Sequence, residues 1–554
     1  MKRVSSHLST TLVGWLRSGA LKRGFTEETS GKNASGIPAR PGLLLLQIDG
    51  LSYAQFQRAM TRKRLPFITH LLQQTGITAR SFYSGVPSTT PAVQGELFYG
   101  VKAAVPAFEF IDRNTRIRHA MFFPASANAI ARQLRRSGSP LLAGGSSYAN
   151  IYSGGAATAR YCAESMNLES LFRTINPFKL IFMALFQIGK LLRIAGVAAL
   201  ELMLAVYDFF RGLFSGRNFF KELMFIPTRL FICVILRELV RFRVKQDLAW
   251  GVPIVAANFL GYDKQAHRRG PRSAFAHWTL KGIDETVKDL YQTARQSDHR
   301  AYQVVIYSDH GQETVRHYRA FTGKSLRQAI GDAFGQHLSQ GQAQDSGETD
   351  HLLRHLYGRT GNFLFLGPML TRWQRQVSTD RFVDDIQITT MGPLGHIYLP
   401  GANQTESGAA FSDRSLEQWA HILNRDARIP LVLFVKNKTV MAVNKTGTHR
   451  LWEARGTILG NKHPALDQAA RDLARVAIHP HAGDFVICGW RPGEQAPLSF
   501  NVESGAHGGP GAEETRGFVI LPAGMQPDRD WLRPLDLRNQ ILAYMGEPNA
   551  GPGQ

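Results

Sequence analysis

Ser308-Asp309-His310-Gly311 follows directly on the apolar run Val304-Val305-Ile306-Tyr307. A carboxylate and an imidazole at adjacent positions, released from the end of a buried strand, can both turn onto one metal ion. Four more segments offer the remaining parts of a two-metal site. Asp49-Gly50 closes the run Leu43-Leu44-Leu45-Leu46-Gln47-Ile48. Asp263 and His267 stand four residues apart, on one face of a helical turn, ahead of Arg268-Arg269-Gly270-Pro271. His507 sits in Gly505-Ala506-His507-Gly508-Gly509, where glycine lets the backbone approach a site closely. The last segment is Ser88-Thr89-Thr90-Pro91. Its threonines offer a hydroxyl nucleophile beside the start of a helix.

The elements that must position these groups can be read from the same stretches. Leu43–Ile48, bounded by Pro41-Gly42 and Asp49-Gly50, reads as a buried strand of a parallel sheet. Asp49 then projects from its carboxyl end, where open α/β sheets place ligands. Proline is favoured at the first turn of a helix, so a helix is expected to begin near Pro91, with Thr90 as its cap. Its N-terminus, with free N–H groups and partial positive charge, suits a phosphate.

The order of these segments is that of a family. The chain resembles the alkaline phosphatase superfamily, most closely its type I phosphodiesterase/nucleotide pyrophosphatase branch, from about Leu43 to Pro522. The resemblance implies a three-layer α/β/α sandwich with a mostly parallel central sheet and a smaller α+β lobe. It also implies a metal-binding aspartate after the first strand, at Asp49, and a nucleophile two residues before a proline, at Thr89. By the same likeness one metal is held by Asp49, Asp309, His310 and the Thr89 oxygen, and the other by Asp263, His267 and His507. Such a carboxylate and imidazole set suits zinc before manganese or iron. Two ions about 4 Å apart can clamp the attacking and leaving oxygens of an in-line displacement. The implied activity is hydrolysis of a phosphoester through a phosphothreonine.

Two departures bear on substrate. Sulfatases of the superfamily carry Cys/Ser-x-Pro-x-Arg, whereas the stretch here is Thr89-Thr90-Pro91-Ala92-Val93, which argues against sulfate esters. The nucleotide pyrophosphatases place an asparagine three residues after the nucleophile, and here that residue is Ala92. Backbone N–H groups at the helix start, or Gln94 or Lys264, would have to replace it. Other substrate-binding residues are not legible. A generic phosphodiester is therefore expected before a nucleotide. A phosphoryl transfer to an alcohol other than water, and a vestigial metal-binding scaffold, are the alternative readings.

Length and composition fit one large α/β enzyme: 554 residues, 44% of them hydrophobic. We expect a disordered basic arm over 1–40, a catalytic domain over 41–545, a helical insertion within it over 167–250, and a tail over 546–554. Three cysteines, Cys162, Cys233 and Cys488, cannot close a disulfide set, and apolar neighbours suggest buried thiols. The formal charge of +22 calls for an anionic partner. No nucleic-acid module is recognisable, so specific nucleic-acid binding is not expected.

The insertion suggests a membrane surface instead. Lys190, Arg193, Glu201, Asp208 and Arg211 recur as one narrow polar stripe, which leaves a broad apolar face. Gly212 to Gly216 reads as a break, Pro227 as an interruption or opening of the next helix, and Arg237, Arg241 and Lys245 as one face of a last helix. The expectation is an in-plane element with these basic residues at the headgroups, in a peripheral protein on the cytoplasmic face. A helical hairpin packed on the core is the other outcome. The patch Leu12 to Leu16 is too short for a signal peptide. Ser339 to Asp350 reads as a polar loop. In the smaller lobe, His396 reads as structural and Asp484 as a residue supporting the site.

Overall fold

The structure is a computed structural model; it describes residues 40–165, 188–214, 219–335, 386–399, 415–493, 496–525, 527 and 531–546. The expectations for residues 1–39, for Ser339 to Asp350 and for the final tail fall outside the described residues. Strands of the main sheet are β1 (Arg40–Ile48), β2 (Arg80–Tyr83), β3 (Ser146–Tyr148), β4 (Thr158–Arg160), β5 (Ile254–Phe259) and β6 (Arg300–Tyr307). A smaller sheet holds β7 (Gln387–Met391), β8 (Leu394–Tyr398), β9 (Leu431–Lys436), β10 (Thr439–Asn444), β11 (Gly447–Arg450) and β12 (Phe485–Cys488). The chain returns to the main sheet with β13 (Arg516–Ile520) and β14 (Trp531–Leu532).

The main sheet runs β14-β2-β13-β6-β1-β5-β3-β4. The five strands β6, β1, β5, β3 and β4 are parallel, and β13 is the antiparallel member between β6 and β2. The alternation of β1 explains why this sheet is covered on both faces. Leu43 and Leu45 enter one apolar core, and Leu44, Leu46 and Ile48 enter the other. A strand buried on both sides needs a continuous apolar run, which is what Leu43–Leu46 supplies. Helix α1 (Thr90–Tyr99) packs on the first face and α6 (Ala274–Arg295) on the second. The result is the mostly parallel, helix-covered sheet expected from the sequence.

The smaller sheet is antiparallel throughout, in the order β7-β8-β12-β9-β10-β11. Val432 pairs with Val443 and Val435 with Val440, as the flanking apolar runs require. Asn437 and Lys438 both take positive φ at the hairpin turn, matching the twist of the strands they join. His396 is structural: its ring accepts from the Gly483 N–H and faces the Pro106 carbonyl. Asp484 does not support the site as expected. It accepts from Leu399 N–H and pairs with Arg113, so it anchors the lobe.

Between the sheet's outer strands and β5 lie α2 (Ile188–Phe214), α3 (Phe219–Leu230), a π-helical turn (Phe231–Leu236) and α4 (Arg237–Trp250); α5 (Gly261–Arg269) follows β5. The break expected over Gly212 to Gly216 lies in part outside the described residues, which end at Phe214 and resume at Phe219; Pro227 lies inside α3. The two described members of the polar stripe do not face outward as expected. Glu201 and Asp208 are buried, with Arg229 holding Glu201 at 2.9 Å and Arg269 holding Asp208 at 2.6 Å. Buried carboxylates need such partners, and only the core side of α2 supplies them. The side chains of Lys190, Arg193 and Arg211 lie outside the described residues. The face of α4 is likewise turned inward, not to headgroups: Arg241 and Lys245 both reach Asp289 of α6 at 2.8 Å.

Candidate metal centre

Three neighbouring parallel strands deliver the acidic groups. In the order β6-β1-β5, the strand ends release Asp309, Asp49 and, through the first turns of α5, Asp263. Adjacency in the sheet thus turns residues more than two hundred positions apart into neighbours. Gly50 has φ +70°, and a Cβ there would stand 2.4 Å from Asp263 Oδ1, so only glycine lets the two loops close. Helix α1 is buried on all sides and aims its N-terminus here, with Thr89 in the N-cap position.

The site residues read from the sequence meet at one place. Asp49, Asp309 and His310 bring ligand atoms within 4.8 Å of one another, and so do Asp263, His310 and His507. His310 therefore stands between the two groups. His267 lies beside the second: its Nε2 is 3.5 Å from Asp263 Oδ1, and its ring centroid is 4.9 Å from that of His507. All seven, Thr89 included, are buried.

Residues that sequence reasoning did not find orient several of these groups. Asn258 donates to Asp49 Oδ2 at 2.8 Å, and Gln312 donates to Asp263 Oδ1 at 2.5 Å. Glu503 lies 3.3 Å from His267 Nδ1, and His310 Nδ1 donates to the Gly311 carbonyl at 2.9 Å. With Nδ1 engaged, Nε2 of each ring is left to turn to a metal. Glu514 accepts from Ser88 Oγ and from the Gly509 and Gly511 N–H groups, which ties the threonine turn to the late histidine loop. Glu503 and Glu514 flank the Gly505–Gly509 stretch in sequence, and Gln312 follows His310 by two; that proximity was the available signal.

The fit to metal ions rests on unsatisfied oxygens. Asp49 Oδ1, both Asp309 carboxylate oxygens and Thr89 Oγ1 are buried without a hydrogen-bond partner among the described residues. Each such group costs about 1–3 kcal/mol if nothing compensates. Burial, and then the charges of Asp309 and Asp263, hold the Asp49 carboxyl well above its usual range. Burial also pushes the His310 imidazolium down, against the pull of Asp309. Carboxylates that disfavour one another's charge, interleaved with neutral imidazoles, are the donor set of divalent cations.

Two expectations fail here. Thr90 is not the cap, because the helix starts at Thr90 itself and no side chain caps it; Thr90 Oγ1 instead meets His310 Nε2 at 3.2 Å. Gln94 cannot replace the missing asparagine. Its amide donates to Asn150 at 2.9 Å and accepts from Ile151 and Tyr152 N–H groups. Lys264 does stand at the site, its Nζ 3.2 Å from Asp263 Oδ2 and 5.0 Å from the Phe122 ring centroid.

Residues 253–428 match the family model of type I phosphodiesterase / nucleotide pyrophosphatase. That segment contains Asp263, His267, Asp309 and His310. Among solved structures, the chain is similar to murine ectonucleotide pyrophosphatase/phosphodiesterase 5, an inactive form in complex with AMP, at 9% identity and TM-score 0.46, covering 93% of this chain and 97% of that one. It is also similar to phosphonoacetate hydrolase from Sinorhizobium meliloti 1021 in complex with phosphonoformate, at 13% identity and TM-score 0.43, covering 91% and 96%. No curated protein matches the chain in sequence.

Proposed function

We propose that the chain, a hydrolase of phosphoric ester bonds whose residues 253–428 match the type I phosphodiesterase / nucleotide pyrophosphatase family model, acts through two divalent ions and Thr89. The observation that carries this reading is that Asp49, Asp309 and His310 bring ligand atoms within 4.8 Å of one another, that oxygens of Asp49 and Asp309 and the Thr89 Oγ1 are buried without a hydrogen-bond partner among the described residues, and that Thr90, next to Thr89, meets His310 at 3.2 Å. Asp49, Asp309, His310 and Thr89 would hold one ion, and Asp263, His267 and His507 the other, with zinc preferred. Bound there, the ions supply Lewis acidity toward the attacking and the leaving oxygen.

The chain's own residues do the rest. Thr89, at the mouth of α1, forms the new bond to phosphorus as the ester bond to the alcohol breaks and that alcohol takes up a proton. Water then hydrolyses the phosphothreonine and restores the hydroxyl. Glu514 and His507 hold the Ser88 turn, so Thr89 is presented in one orientation. The α1 N-terminus and Lys264 are the groups available for the non-bridging phosphoryl oxygens in place of an asparagine at Ala92.

The substrate class follows from what is missing. Without an arginine at Val93, sulfate has no charged partner of the sulfatase kind, and without the asparagine a nucleotide has no special claim. A phosphodiester is the proposed substrate. Purified, zinc-loaded protein should be compared on chromogenic diesters, monoesters and sulfate esters with matched leaving groups. We expect the highest kcat/KM on the diester; a faster sulfate ester sinks the assignment.

A further inference from the structure

The inward turn of Glu201 and Asp208 has a physical counterpart on the opposite side of α2. There the helix presents Leu200, Leu202, Met203, Val206, Tyr207 and Phe210 to solvent, with Met203 and Tyr207 each 63% exposed. Phe219 and Leu223 of α3 extend the same kind of surface. Single exposed apolar residues are ordinary, but a contiguous face of large ones marks a site of docking.

The helix cannot roll to hide this face. Arg229, fully buried, grips Glu201 through two hydrogen bonds, and Trp278 Nε1 donates to the same carboxylate at 3.0 Å. Arg269 holds Asp208 at 2.6 Å and Glu222 of α3 at 2.5 Å, and Arg268 holds Glu222 at 2.7 Å. Gly212 fits against Glu222, where a Cβ would stand 2.5 Å from the carboxylate carbon. Rotation about the helix axis would strip buried charges of their partners. Arg268 and Arg269 follow His267 directly in α5, so the outward face is clamped to the metal centre.

Charge identifies the partner. From Pro177 to Lys245 the sequence carries eleven Lys or Arg against four Asp or Glu. Three of those acids, Glu201, Asp208 and Glu222, are buried in the clamp with Arg229, Glu238 pairs with Arg237 and Arg241, and Lys245 reaches Asp289, which leaves seven Lys or Arg of the stretch and no further acid. In the sequence, Lys190 and Arg193 precede the exposed run and Arg211, Arg217 and Lys221 follow it. An apolar face on a stretch of chain with a surplus of one sign repels its own copy but complements anionic headgroups. No described helix is long and apolar enough to cross a membrane, so the fitting geometry lies in the bilayer plane.

We propose that the outer face of α2 and the start of α3 is a docking surface for a bilayer bearing anionic lipids. Resting on the hydrolase reading, this makes a lipid headgroup phosphodiester the substrate class, because α5 carries both Asp263 and His267 of the metal centre and the arginines that hold α2 and α3.

The test is co-sedimentation of the full chain with vesicles of phosphatidylcholine alone and of phosphatidylcholine with phosphatidylglycerol. We expect binding to the anionic vesicles, weakened but not lost in high salt, since apolar insertion and charge both contribute. The double variant Leu200→Glu/Met203→Glu, which leaves the clamp intact, should bind at least about tenfold more weakly while its melting temperature and turnover of a soluble diester hold. A parent chain that stays in the supernatant, or a double variant that binds like the parent, overturns the proposal. So does a parent dimer that the double variant dissociates, which would assign the face to a second copy. Binding by a protein without turnover leaves the docking face standing and removes the hydrolase reading alone.

Discussion

His507 Nδ1 donates to the Ser88 carbonyl across 2.8 Å, joining residues 419 positions apart in sequence. The bond makes the late glycine-flanked histidine and the threonine turn one rigid unit. Glu514 reinforces it from behind, through Ser88 Oγ and the Gly509 N–H. His507 and Thr89, the proposed metal ligand and nucleophile, are therefore positioned by the same bonds, and disturbing one disturbs the other.

Metal content follows from the two ligand groups. We expect close to two divalent ions per chain by elemental analysis, with Asp309→Ala or His507→Ala each losing about one. Glu503→Gln keeps every ligand but releases the His267 ring, and should weaken metal affinity by about 10–100-fold in a chelator competition. Full occupancy in both alanine variants would mean the ligands are misassigned.

The two threonines should separate cleanly. Thr89 Oγ1 is buried without a hydrogen-bond partner among the described residues, so Thr89→Ala breaks none of their hydrogen bonds; it should retain metals and stability while turnover falls by several orders of magnitude. Thr90 Oγ1 leans on His310 Nε2, so Thr90→Ala should keep measurable turnover with a modest change in metal affinity. An active Thr89→Ala beside a dead Thr90→Ala shifts the nucleophile by one residue.

Arg229 is a stability prediction. Its guanidinium is fully buried against Glu201, with Asp208 at 3.9 Å. Arg229→Met leaves those carboxylates short of a cation and should cost about 3–5 kcal/mol in urea unfolding. A loss under about 1 kcal/mol would show that Arg268 and Arg269 suffice to hold α2.

His396 supplies a pH dependence. Burial pushes its imidazolium down to about 3, and the Gly483 N–H donating to Nδ1 requires that nitrogen unprotonated. As pH falls below the unfolded value of about 6.5, the unfolded chain takes up a proton that the folded ring refuses. The stability contribution is thus present above pH 6.5 and is lost as pH falls toward 3, by up to about 1.4 kcal/mol per unit. Urea unfolding at pH 7 and pH 5 should show a smaller loss for His396→Gln than for the parent; equal losses would exclude this histidine as a source.

The sequence by itself determined the chemistry and the local frames. Asp49 after an apolar strand, Asp263 and His267 one helical turn apart, and Asp309-His310 after a second strand are short-range patterns, and short-range backbone geometry is what residue order dictates. The hairpin of Leu431–Lys436 with Thr439–Asn444 was legible for the same reason. What only the tertiary structure decided depends on contacts between distant segments. Asn258 on Asp49, Glu503 on His267 and Glu514 on Ser88 join positions hundreds of residues apart, and so carry no local signature. The helix at Pro91 was foreseen, yet the contact of Thr90 with His310 and the capture of Gln94 by Asn150 were not. The clearest case is α2. Periodicity shows that Glu201 and Asp208 share a stripe, but the phase of that stripe is set by Arg229 and Arg269 on other helices. An amphipathic pattern fixes which residues lie together; the partners it meets in the fold decide which side turns inward.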